Sequence, residues 1–197
     1  MAVDVSLDPA RTAVLSMDMQ AGILALYAGD QEGFTQRAAQ VLRRARDCGM
    51  TIIHVQVGFR PGFPEIGTRN RLFASIRNSV ERQRLFQGEA GQIHPAVAPV
   101  GEDIVITKHR VSAFTGTALD LILRAKEIET LVLFGIATSG VVLSTLLTAA
   151  DSDYRIIVLR DCCADQDEEV HAALLERFFP RRGTVVAAAE FLDSLPA

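Results

Sequence analysis

Short apolar runs alternate with stretches of helical periodicity along most of the chain. Residues 12–17 (TAVLSM), 51–57 (TIIHVQV), 103–107 (DIVIT), 130–134 (TLVLF) and 155–160 (RIIVLR) are short, apolar and rich in β-branched residues. They read as buried strands, and residues 184–187 add a brief sixth. Residues 34–48 put Ala38, Val41, Leu42 and Ala45 on one helical face, with Arg37, Arg43, Arg44 and Asp47 elsewhere. Gly49 ends that pattern, as a glycine beyond a helix C-terminus does. Further helices are predicted near 69–78, after Thr117 with Asp120 as its capping partner, and over 140–151. Two more are predicted over 168–179, capped by Asp165, and over 189–195. Between residues 58 and 101 the pattern weakens, and 81–95 reads as a polar loop. A connection of that length in a compact domain is often functional.

Strands interleaved with helices predict a three-layer α/β/α, Rossmann-like domain spanning residues 1–197. Its sheet is six-stranded and mostly parallel, with expected order 3-2-1-4-5-6. In such sheets ligands bind beyond the carboxyl ends of the strands, where the winding reverses.

Bulk properties narrow the function classes. The net charge is -4 and the pI about 5.6, with no extended basic footprint, so neither nucleic acid nor an anionic membrane is an expected partner. The short basic groups at Arg82 and Arg181 read as solvated surface. Mean hydropathy is +0.21, which buried parallel strands account for, and no window approaches a membrane span. The three cysteines, Cys48, Cys162 and Cys163, do not form a secreted disulfide framework. Asp4 and Asp8 interrupt any signal-like apolar stretch, so a cytoplasmic location is expected.

The residues at the predicted strand ends carry the chemistry. Asp18 follows the first strand and Lys108 follows the strand at 103–107. The stretch FGIATSGVVLST runs from a buried strand through a glycine-marked turn into a helix. An acid and a base meeting above the sheet beside a helix mouth form a plausible proton-transfer site. Each alone is more often a helix cap or turn residue, or a solvated cation, and it is their joint placement at two strand ends that raises the functional reading.

Asp18 in DMQ, Lys108 in TKHRVSAFTGTALD, and GIATSGVVLSTLLTAAD together resemble the isochorismatase-like hydrolases. The resemblance spans nearly the whole chain, including VLRDCCAD and EVHAALLERFFP. It implies a six-stranded parallel sheet, a dimer or tetramer, and a small-molecule substrate. It also implies a cis peptide at Ile136–Ala137. Many members use an Asp–Lys–Cys triad. Asp18 and Lys108 match the first two, but the cysteine slot holds Val141. Covalent thioester chemistry through residue 141 is thereby excluded, because valine has no lone pair.

What remains is Asp18, Lys108 and a turn whose Gly140, Val141 and Val142 amides can face an anion. Members acting on isochorismate also dispense with the cysteine, protonating a vinyl ether and adding water. Three readings follow: vinyl-ether hydrolysis by Asp18 and Lys108; amide or imide hydrolysis with water or a hydroxyl of Thr138 or Ser139; and ligand binding without turnover. Lys108 lowers the pKa of Asp18 and burial raises it, so the sequence leaves its protonation open. Gln20, Phe59, Arg60, Phe63, Arg110, Phe114 and Ser139 are candidate pocket residues, with Arg110 suited to a carboxylate. Cys162 and Cys163 read as packing residues. Neither metal nor other cofactor is expected. The second strand lacks the histidine pattern of nicotinamidase-type members, and His54, His94, His109 and His171 have no zinc spacing. GIATSG is neither a dinucleotide nor a phosphate-loop fingerprint.

Overall fold

The computed structural model describes residues 7–196. Six strands form one sheet in the order β3-β2-β1-β4-β5-β6. They are β1 (Thr12–Met17), β2 (Thr51–Val57), β3 (Ile104–Lys108), β4 (Thr130–Ile136), β5 (Arg155–Ala164) and β6 (Thr184–Val186). All five ladders are parallel, so the expected mostly parallel sheet is parallel throughout. The central strands explain their uniform apolarity. Every residue of β1 and β4 is buried, because helices cover both faces.

The helices are α1 (Ala21–Tyr27), α2 (Gln31–Asp47), α3 (Arg71–Arg77), α4 (Val80–Arg84), α5 (Leu119–Ala125), α6 (Leu143–Ala150), α7 (Glu168–Ala173) and α8 (Ala188–Asp193). The chain winds from β1 toward β3, then crosses back and winds from β4 toward β6. Right-handed crossovers therefore put α2 on one face and α6 on the other. The winding reverses between β1 and β4, above whose carboxyl ends a ligand crevice belongs.

Several local expectations are corrected. The polar stretch after residue 80 is not all loop: Ser79 accepts from the Arg82 N–H and caps α4. Asp167, not Asp165, caps α7 by accepting from the Val170 N–H. Asp120 does not pair with Thr117 but with Arg124, one turn along α5. The fifth strand runs on to Ala164 rather than ending at Arg160. Among the described residues, no helix is long and apolar enough to cross a membrane.

Candidate active site

The site begins with two side chains from strands that are not neighbours. Asp18 directly follows β1, with its backbone at φ 55 and its N–H bonded to the Val55 carbonyl at 2.7 Å. Aspartate tolerates this left-handed conformation better than most residues. Lys108 ends β3, and β2 lies between it and β1. Two strand spacings amount to about 10 Å, so only a long side chain can cross above β2. The Lys108 Nζ does so, reaching Asp18 Oδ2 at 2.8 Å and donating to the Arg110 carbonyl at 3.1 Å. Their side chains are 3% and 8% exposed.

Burial has opposite consequences for the two carboxylate oxygens. Oδ2 faces the ammonium, while Oδ1 is buried with no hydrogen-bond partner. Burial pushes the Asp18 carboxyl above its ordinary range and outweighs the opposing pull of Lys108. The competition left open by the sequence is thus decided by desolvation.

The third component is the segment after β4. Gly135 lies so close to β1 that a Cβ there would stand 2.0 Å from the Met17 carbonyl oxygen. Its φ of 140 also disfavours a side chain. The Ile136–Ala137 peptide is cis. A widened turn over Thr138–Val142 then leads into α6. Its amides are not all available: Gly140 and Val142 donate to the Ala137 carbonyl, and Ser139 donates to Asp165 Oδ2 at 2.7 Å. Asp165 is a turn-holding residue that the capping assignment misplaced.

A cavity of about 370 Å³ opens over these groups. Asp18, Lys108, Ile136, Ala137, Gly140 and Val141 line its floor. Val141 is 2% exposed, so an aliphatic side chain fills the slot. The remaining wall is mainly apolar and comes from α1, α3 and the residues that follow α4, including Ile23, Leu26, Leu72, Ile76, Leu85 and Phe86. Tyr27, Arg82 and Gln166 supply its further polar side chains. Burial and the Asp165 charge raise the Tyr27 hydroxyl above its ordinary range, against the opposing Arg82 cation.

Most of the candidate pocket residues stand outside this cavity. The Gln20 amide is spent on backbone, donating to Val57 and Gly91 carbonyls and accepting the Val57 N–H at 2.8 Å. It fastens β2 and the long loop beneath the site. Phe59 and Phe63 line a separate recess, and Phe59 packs against Phe63, Phe73 and Phe86 behind the wall. Arg60 pairs with Glu65. The Arg110 guanidinium is committed to the His109 and Glu65 carbonyls and covers the Phe73 ring. Phe114 stacks near Tyr154. Ser139 is exposed, and the Thr138 hydroxyl bonds His171 Nδ1 at 2.8 Å and the Ala164 carbonyl at 3.2 Å, away from the cavity. His54 is buried against Asp103 at 3.0 Å, within an ionic cluster shared with Arg46. Among the described residues, no group of three or more His, Cys, Asp or Glu side chains is arranged to hold a metal ion. Arg82, read as solvated surface, is exposed but also lines the cavity; with Tyr27 and Gln166 it is among the polar pocket residues that the sequence missed, and the unrecognised α4 is the reason in its case.

The parallel α/β sheet, its winding reversal and the buried Asp18–Lys108 pair at the strand ends define a doubly wound, three-layer α/β/α fold with a cavity at the reversal. The Isochorismatase domain profile matches residues 12–190, and the chain belongs to this family. It is similar to maleamate amidohydrolase of Pseudomonas putida, with 30% identity covering 94% of this chain and 87% of that protein. It is likewise similar to ureidoacrylate amidohydrolase of Caulobacter vibrioides, with 34% identity covering 93% and 91%. An isochorismatase family protein from Burkholderia thailandensis superposes with a TM-score of 0.81 at 27% identity, covering 96% of this chain and 97% of that one.

Proposed function

We propose that this chain hydrolyses a small molecule by acid–base chemistry at Asp18 and Lys108, with water as nucleophile and no covalent enzyme intermediate. The observation that carries this reading is the buried, elevated Asp18 carboxyl. One of its oxygens lacks a partner, and it lines a cavity where Val141 occupies the thiol slot. A carboxyl whose hold on its proton is strengthened by burial can serve as a general acid. Acting on an enol ether, Asp18 gives its proton to the terminal vinyl carbon, leaving an oxocarbenium ion. Water adds to that ion and returns a proton to Asp18. The hemiketal then collapses to a carbonyl compound and an alcohol. Lys108 stabilises the carboxylate formed during the first step.

The names of the similar amidohydrolases favour a second reading. Here ionised Asp18 takes a proton from water, which attacks an amide carbonyl. Lys108 and the Val141 N–H face the oxyanion. A hydroxyl nucleophile has less support, since Thr138 bonds away from the cavity and Ser139 is exposed.

Turnover of small enol ethers and primary amides in D₂O separates the readings. Enol-ether hydrolysis leaves a new C–D bond, whereas amide hydrolysis releases ammonia. Asp18→Asn is expected to lower the productive reaction by about 10²–10⁴-fold. Full activity in that variant would sink both mechanisms. Saturable binding without turnover across both substrate classes would instead support a non-catalytic binder.

A further inference from the structure

The cavity has a polar floor and an apolar wall, and one cation of that wall has no acidic partner. Arg82 lines the cavity from α4. Its guanidinium donates to the Ser75 hydroxyl at 2.7 Å, and no carboxylate pairs with it among the described residues. A guanidinium carries five N–H donors in a planar fork, so most of its capacity is unspent. Nearby arginines are different. Arg110 is consumed by two carbonyls and Arg60 by Glu65. Asp165, whose charge acts on Tyr27 alongside that of Arg82, is tied to the Ser139 N–H.

The floor is less open to an anion. The Lys108 Nζ is already held by Asp18 Oδ2 at 2.8 Å and by the Arg110 carbonyl at 3.1 Å, and its side chain is 3% exposed. An anionic group is therefore directed to the Arg82 end of the cavity, while an apolar body lies along Leu72, Ile76, Leu85 and Phe86. We infer that Arg82 is a specificity-determining residue that selects a small carboxylate with an apolar body and orients its neutral, reactive end toward Asp18. This rests on the reading of the cavity as the substrate site.

Direct binding tests this without requiring turnover. Cinnamate and cinnamamide are titrated by calorimetry into the wild-type protein and into Arg82→Gln, Arg82→Lys and Arg110→Gln variants. They share an apolar body and differ in charge. Wild type is expected to prefer cinnamate by roughly tenfold, the low end for a charge-assisted pair because Arg82 is exposed. Arg82→Gln is expected to abolish that preference by weakening cinnamate binding alone, with the unchanged affinity for cinnamamide reporting an intact cavity. Arg82→Lys is expected to keep part of it, and Arg110→Gln all of it. Equal affinity of the two compounds for wild type, or no saturable cinnamate binding, would overturn the inference. So would a preference that survives Arg82→Gln or is lost in Arg110→Gln. These outcomes leave the Asp18 chemistry untouched, and a failure of turnover leaves the charge preference standing.

Discussion

Replacing Lys108 with methionine keeps much of the side-chain volume and deletes the charge beside Asp18. The wild-type contact is 2.8 Å long and nearly dry, with Asp18 Oδ1 already lacking a partner. Breaking one side of a buried ion pair typically costs about 3–5 kcal/mol. Protonation sets a ceiling on that loss. Forcing a proton onto a carboxyl of ordinary acidity costs about 1.4 kcal/mol per pH unit above its unfolded value, or about 4 kcal/mol at pH 7. At pH 5 the same escape costs only about 1.5 kcal/mol. The sign follows from a folded-state carboxyl that is raised. The native state binds more protons than the unfolded state, so this site's contribution is fullest below the unfolded value. It is lost as pH rises toward the folded one. Removing Lys108 raises the folded value further and extends the decline to higher pH. Urea denaturation of wild type and Lys108→Met from pH 5 to pH 9 should show a deficit that grows, by up to about 1.4 kcal/mol per unit, once the pH passes the folded value of the wild-type carboxyl. The slope flattens where the wild-type carboxyl is itself protonated. Adding Asp18→Asn to Lys108→Met should remove most of the pH dependence. A deficit below about 1 kcal/mol, or one independent of pH, would refute the account of Asp18 as a buried group competing between desolvation and its lysine.

Val141→Cys should create a thiol that iodoacetamide modifies at the cavity. Cys162 and Cys163 should stay inert in intact-protein mass spectrometry, because burial raises both and holds Cys163 at about 12. The half-exposed Cys48 is replaced by serine in that experiment so that its reaction does not mask the result. Gly135→Ala should destabilise the fold by about 3 kcal/mol or more in urea melts, since the new methyl collides with the Met17 backbone one residue before Asp18. Gln20→Ala should cost about 2–4 kcal/mol and lower the hydrogen-exchange protection of the Val57 amide, because it leaves that buried N–H without its 2.8 Å partner.

The α/β alternation was legible because buried parallel strands are continuous apolar runs, as in TAVLSM and TLVLFGI. Asp18 and Lys108 were legible because strand ends are where such sheets place ligand-contacting residues. The region after residue 58 was legible only in part. The helix expected near 69–78 is α3, whereas α4 is five residues long and buries none of them. Its polar composition makes the sequence look like loop, so Arg82 was assigned to surface alone. The charged and aromatic candidates failed for a related reason: residue type gave Arg110, Arg60 and Phe59 their appeal, but a folded chain first satisfies its own carbonyls, carboxylates and packing.

By itself the sequence determined the layered parallel architecture, an aspartate and a lysine at two strand ends, and an aliphatic side chain at position 141. Those features follow from local patterning and residue chemistry. Tertiary structure alone decided that Lys108 spans β2 to reach Asp18, that burial prevails over this lysine in setting the carboxyl's acidity, and that Arg82 joins the cavity wall in place of Arg110. Each depends on distance and desolvation between residues far apart in the chain, quantities fixed only when the sheet and its covering helices come together.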